Sequence, residues 1–269
     1  MALAPARCGA VSGLREEQRG ASRWLILDRP AARNALSADL MSALRRALAA
    51  ADAEARVRAI CITGSGEQAF CSGMDLALAG AAQGSGVGPE QGARDYASLL
   101  VEIARIGKPV VAAVNGAAMG GGMGLLAACD LAVAAEDARF GTPEVEVGLF
   151  PYMALAPLSR CVGRRAALEL ALTGRRIDAA EARAIGLLNR VVPRAELQGA
   201  AGELLDQLAQ KSPTALRLGR RAFYATQDLP YEAQLEALCA QFSLTAASAD
   251  AAEGIAAFLE KRKPDFKGS

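Results

Sequence analysis

The chain has 269 residues, 52% of them hydrophobic, and its 30 Lys and Arg nearly balance 29 Asp and Glu, leaving a net charge of +1. That length and apolar content supply a sizeable core, and the charge balance excludes a general attraction to nucleic acid or to a membrane surface. Histidine is absent, which removes Ser-His-Asp and Cys-His nucleophile machinery, HExxH zinc sites and imidazole acid–base catalysis together. Proton transfer therefore falls to carboxylates, Lys, Tyr, Cys or water. The cysteines, Cys8, Cys61, Cys71, Cys129, Cys161 and Cys239, form no CxxC pair and several lie in apolar runs. They read as reduced core thiols of a cytosolic protein. No apolar run reaches the length of about 18 residues that a membrane span needs. The opening MALAPARCGAVSGLREE lacks the apolar centre of a signal peptide, so the expected location is the cytoplasm.

Residues 1–20 carry little pattern, and the first strand is expected at Trp24–Leu27, ended by Asp28-Arg29-Pro30. A loop through Asn34-Ala35-Leu36 leads to Ser37, a helix cap for an amphipathic stretch with Leu40, Ala43, Leu44, Ala47 and Leu48 on one face. Val57–Thr63 is a buried strand running into Gly64-Ser65-Gly66-Glu67-Gln68-Ala69, a formal match to a dinucleotide fingerprint. Phe70-Cys71-Ser72-Gly73 follows in place of a helix, and the position about 20 residues on, where a ribose-binding acid belongs, falls in the Gly/Ser-rich stretch Gly80–Gly88. Nucleotide redox binding is therefore disfavoured. Gly80–Pro89 reads as a surface loop suited to a lid, and Glu90–Ile106 as a helix whose buried side carries Tyr96, Leu99, Leu100, Ile103 and Ile106.

Pro109–Val114 is a second buried strand, and Gly120-Gly121-Gly122 stands where the next helix begins, before Leu125–Cys129. Three glycines there cost roughly 1 kcal/mol each relative to alanine. Either a tight turn packs close to a neighbour, or another group must approach free N–H donors at a helix N-terminus, where an oxyanion would be well held. Leu131–Ala135 is a further strand, and Phe140–Pro151 a loop containing Glu144 and Glu146. Helical patterns dominate from Ala156 on: an Asp178-capped helix to Ile185, a short Leu187–Val192 strand, then four helices near 195–210, 213–226, 230–247 and 249–262. The order predicts an α/β region followed by an all-helical one.

Asn115-Gly116, the glycine triplet, Cys129-Asp130, Phe140-Gly141-Thr142-Pro143-Glu144 and Gly148-Leu149-Phe150-Pro151 occur in the order and spacing of the crotonase superfamily. From about Trp24 to Lys267 the chain resembles the enoyl-CoA hydratase/isomerase family. The resemblance implies a crotonase-like spiral of ββα repeats over residues 1–200 and a helical oligomerisation region over 201–269, giving a homotrimer or a dimer of trimers. It also implies an acyl-CoA thioester as the partner molecule, with no nucleic acid or membrane and no cofactor besides the coenzyme A carried by the substrate.

Ser72-Gly73-Met74-Asp75-Leu76 resembles the family's first oxyanion-hole segment, which places the N–H of Met74 as one donor and that of Gly121 as the other. Glu144 then becomes the acid–base group. Arg33, Ala35, Ser72, Asp75 and Leu76 are where the resemblance puts the adenine and pantetheine. The closing FLEKRKPDF resembles the family's last segment, and the resemblance implies that Phe258 and Lys261 approach the CoA of a neighbouring subunit. The chain departs from the hydratases at Gly124, where they carry a second glutamate, and at Tyr152-Met153-Ala154, where glycines are usual. A single glutamate suits double-bond isomerisation, which moves one proton between the α and γ carbons; hydration of a 2-enoyl-CoA, with Tyr152 or Asp75 contributing a proton, is the rival. A CoA-binding protein without catalysis is the reading from another class. Gly124→Glu is expected to restore the second carboxylate provided the backbone φ there is negative.

Overall fold

The structure, a computed structural model, describes residues 13–75 and 89–269. The sequence stretches at Leu76 and Gly80–Gly88 lie outside the described residues. β1 (Leu14–Arg19) and β2 (Ser22–Leu27) form an antiparallel hairpin about Gly20, whose φ of 55° suits a two-residue turn. β1 has no sequence signature because it is an edge strand, LREEQR, with most of its side chains in solvent. α1 (Ala38–Ala53) starts where Ser37 accepts a hydrogen bond from the Leu40 N–H, a cap that stabilises a helix by about 1 kcal/mol.

The chain then winds. β3 (Ala59–Gly64) is followed by β4 (Ala69–Cys71) and α2 (Pro89–Arg105), and β5 (Val110–Val114) by β6 (Ala117–Met119) and α3 (Gly121–Ala128). After β7 (Leu131–Ala135) and β8 (Arg139–Gly141) come α4 (Tyr152–Cys161) and α5 (Arg164–Thr173). A six-stranded sheet has the order β1-β2-β3-β5-β7 and then β10 (Arg190–Val192); a four-stranded sheet has the order β4-β6-β8 and then β9 (Arg176–Asp178). Each of the three strand pairs thus gives its first member to the large sheet and its second to the small one. Strands β2, β3, β5, β7 and β10 run parallel. This is the expected ββα spiral, which periodicity alone does not reveal.

Both faces of the large sheet are covered, which is why its strands read as unbroken apolar runs. Leu25, Leu27, Ile60, Ile62, Val110 and Ala112 face α1 and α2. Trp24, Ile26, Cys61, Val111 and Val133 face Leu197, Ala201, Leu204 and Leu205 of a later helix. α6 (Ala179–Ala184) is capped by Asp178 as the sequence predicts, and the helix covering the second face is α7 (Leu197–Ala209). α7 thus forms part of the sheet's second layer.

The remaining helices are α8 (Pro213–Thr226), α9 (Tyr231–Ala246) and α10 (Ala249–Leu259). Arg220 pins α8 to the core: its guanidinium, 7% exposed, pairs with Asp130 at 2.7 Å and donates to the Ile103 and Ala104 carbonyls at the end of α2. Tyr224 donates to the other Asp130 oxygen, and Asp130 also accepts from the Val110 N–H. Removing one partner of so buried a pair typically costs about 3–5 kcal/mol. Among the described residues no helix is long and apolar enough to cross a membrane. Three of the cysteines, Cys61, Cys71 and Cys129, are core residues, whereas Cys161 and Cys239 are exposed.

Candidate active site

The site forms where the spiral turns from the large sheet to the small one. The Gly64–Ala69 stretch is such a corner and opens no helix: Asn115 accepts from the Gly64 N–H at 3.0 Å and donates to Gly66 O at 2.8 Å. Asn34, fully buried at φ 57°, donates to the Ser65 and Ala69 carbonyls at 3.0 and 2.7 Å. Asparagine tolerates that left-handed conformation better than most residues. The loop it anchors lies against the segment after β4. The Ser72 N–H donates to Arg33 O, the Leu36 N–H to Gly73 O and the Asp75 N–H to Leu36 O.

Those bonds leave Met74 with its N–H turned away from its neighbour strand. A Cβ on Gly121 would lie 3.4 Å from the Met74 nitrogen, and one on Gly73 would lie 3.1 Å from the Gly121 nitrogen. The two amides are therefore side by side, and among the described residues neither donates to a backbone or side-chain acceptor. Glycine is required at both crossings: Gly73 has φ 101°, and Gly120, the N-cap of α3, has φ 52° and ψ −119°. The glycine triplet is thus both a tight packing point and a helix N-terminus with free donors.

Glu144 approaches from the other side. The expected loop is a 3₁₀ turn, Pro143–Val147, closed by Gly148 in the left-handed conformation, whose N–H reaches the Glu144 and Val145 carbonyls. The turn carries the Glu144 carboxylate onto Gly120, where even a methyl group would meet Oε1 at 2.8 Å. Glu144 is half-buried, its Oε2 is enclosed without a hydrogen-bond partner among the described residues, and burial pushes the carboxyl up from its ordinary value. Glu146 points into solvent and pairs with Arg176 at 3.1 Å. Two unpaired N–H donors beside one desolvated carboxylate can hold charge that develops on an oxygen while a proton moves nearby.

Gly124 is where sequence reasoning needs correction. Its φ is not positive, so the backbone accepts a side chain, but the space is taken. A Cβ there would collide with the Tyr96 hydroxyl and lie 2.7 Å from the Cα of Ala154. Tyr96, expected only as core packing on α2, is 1% exposed and donates to the Gly121 carbonyl at 2.5 Å. The two side chains named as rival proton donors are placed otherwise. Tyr152 is 73% exposed and rests on Phe150, and Asp75 is held by Arg29 at 2.9 Å.

Of the residues expected at the CoA, Arg33, Ala35, Ser72 and Asp75 come together in the paired segments just described, and Leu76 lies outside the described residues. Arg33, in the left-handed conformation at φ 51°, lines a cleft of about 610 Å³ with Pro30, Asn34 and Gly66–Ala69. Arg29 is a connection the sequence reading missed: besides Asp75 it donates to the Ala35 carbonyl at 2.6 Å. Its place next to Pro30 and five residues before Asn34 is the signal that was available. Phe258 and Lys261 sit at the exposed end of α10, Phe258 at 82% exposure, and among the described residues neither is hydrogen-bonded to this cluster.

A two-sheet ββα spiral carrying free amides at a glycine-built helix start defines a class, the crotonase fold. The chain belongs to the enoyl-CoA hydratase/isomerase family, whose model matches residues 23–269. It is similar to a putative enoyl-CoA hydratase of Thermus thermophilus, 38% identical over 252 residues that cover 93% of this chain and 98% of that one. The 2,3-dehydroadipyl-CoA hydratase of Escherichia coli is 38% identical over 253 residues, 91% of this chain and 94% of that one. Among solved structures, an enoyl-CoA hydratase of Mycobacterium smegmatis superposes with a TM-score of 0.89 at 34% identity, covering 94% of this chain and 98% of that one. The protein is an acyl-CoA enzyme of this family.

Proposed function

We propose that the enzyme shifts the double bond of an enoyl-CoA, using Glu144 as its single acid–base group. The Met74 and Gly121 N–H groups receive the thioester oxygen. The Glu144 carboxylate takes the α proton of a 3-enoyl-CoA, the electron pair spreads onto that oxygen as a dienolate, and the proton returns to the γ carbon to leave the 2-enoyl-CoA. The observation that carries this reading is the closed space at Gly124: Tyr96 and Ala154 occupy the place where a second carboxylate would sit. The raised Glu144 carboxyl supports it, because a base nearer the working pH transfers protons in both directions more readily.

Hydration of a 2-enoyl-CoA is the second reading, favoured by the hydratase names of the relatives. Incubation with a panel of 2-enoyl and 3-enoyl thioesters separates the two. Isomerisation leaves the mass unchanged and moves the double bond, whereas a product heavier by one water supports hydration. Absence of any turnover would leave a CoA-binding protein without catalysis. In this proposal Arg33, Ala35, Ser72, Asp75 and Leu76 hold the nucleotide and pantetheine, and no resident cofactor takes part. The enzyme works in the cytoplasm.

Phe258 and Lys261 are proposed to reach the CoA of a neighbouring subunit in a trimer or a dimer of trimers. What supports this is the apolar surface of the last helices. α9 buries none of its residues within the chain, and Leu235, Phe242, Ile255, Phe258 and Leu259 are all more than two-fifths exposed. Isolated monomers seldom leave so continuous an apolar surface uncovered. A particle mass of three or six chains at micromolar concentration is the expected result; a stable monomer would rule the assembly out.

A further inference from the structure

We propose that Tyr96 is a positioning residue of this site, holding Gly121 through its carbonyl so that the Gly121 N–H is aimed at the thioester oxygen. The inference rests on the assignment of Met74 and Gly121 as the paired donors. Four observations converge on it. The hydroxyl of Tyr96 donates to the Gly121 carbonyl at 2.5 Å in a setting with 1% exposure. Gly121 is the first residue of α3 and follows Gly120 at φ 52°, so the carbonyl that the phenol holds lies at the very start of the helix. The phenol therefore braces the first turn of α3 at one point, beside the glycines whose amides face the site.

The third observation is steric. Gly124 and Ala154 shape the slot that the hydroxyl fills, since a Cβ on Gly124 would collide with it and also touch the Ala154 Cα at 2.7 Å. The fourth concerns the other donor. One turn before Tyr96 on α2, Gly92 faces Met74, with 3.7 Å between a Cβ built there and the methionine methyl. A single helix thus bears on both halves of the donor pair. A triplet of glycines has wide conformational freedom, and a free amide at its centre needs an external restraint to keep one direction. Tyr96 supplies that restraint from the side away from the substrate, and its hydroxyl exchanges no proton with the reacting carbons.

The test compares wild type with Tyr96→Phe, which keeps the ring and removes only the hydroxyl. The readout is α-proton exchange of a saturated acyl-CoA in heavy water, followed by mass, together with KM and melting temperature. The expected result is a rate lowered roughly tenfold to a hundredfold at saturation, the scale of a misaligned catalytic group, with KM changed by less than about twofold. Replacement of Tyr96 by 4-aminophenylalanine, which restores a donor at the same point, should recover most of the rate. If wild type exchanges and Tyr96→Phe matches it, the positioning role is wrong and the donor assignment stands. If Tyr96→Phe loses rate, KM and melting temperature together and the amino analogue does not rescue it, Tyr96 is a packing residue and the proposal fails. If wild type itself exchanges no α proton of any acyl-CoA, the donor assignment falls and this inference with it.

Discussion

Glu144→Gln should lower α-proton exchange and double-bond migration by about a thousandfold, within the range contributed by a positioned acid–base group, while CoA affinity stays within a factor of about two or three. The amide keeps the shape of the carboxylate and loses its basicity. Wild-type activity should fall as pH drops, on a limb lying above the ordinary carboxylate range, because the ionised form is the base and burial raises its pKa. The same shift fixes the sign of a stability change. A carboxyl whose pKa is higher folded than unfolded destabilises the fold above the unfolded value and has no such effect at low pH. Glu144→Gln is therefore expected to raise the melting temperature at neutral pH and leave it unchanged in acid. Retained turnover in the variant would send the search for the base elsewhere in the site.

Gly124→Glu should fail to give a soluble, active protein. The carboxylate would gain from the N-terminus of α3, but that gain is about 0.3–1 kcal/mol. Against it stand the collision with the Tyr96 hydroxyl and the contact with Ala154 at 2.7 Å, on the scale of overpacking at about 1–3 kcal/mol or more. An unpaired carboxylate in that enclosed spot costs several kcal/mol besides. The sum is comparable with the whole stability of a typical domain, about 5–15 kcal/mol. Denaturant unfolding of any soluble fraction measures it, and a variant as stable as wild type that now hydrates 2-enoyl-CoA would show that the second carboxylate site is open after all.

What the chain's own order determined is local or nearly so. Apolar runs marked the parallel strands because both sheet faces are buried, Ser37 and Asp178 marked helix starts because their side chains accept from the next turn, and the glycine triplet marked a helix N-terminus open to close approach. The absence of histidine narrowed proton transfer before any fold was drawn. The spacing of its motif drew attention to Glu144, whereas its half-buried place against Gly120 was not legible. The tertiary structure decided everything that depends on which distant segments share a space. The alternation of strands between two sheets, the edge strand β1, and the 3₁₀ turn that seats Glu144 on Gly120 are of this kind. So is the filling of the Gly124 slot by a tyrosine 28 positions earlier in the chain. Tyr96 has the helical spacing of a core residue, and a phenol at that spacing buries its ring whether or not its hydroxyl finds a partner. Only the folded neighbours show that the partner is the carbonyl of Gly121, because the volume around a Cα belongs to the whole packed structure and to no single segment.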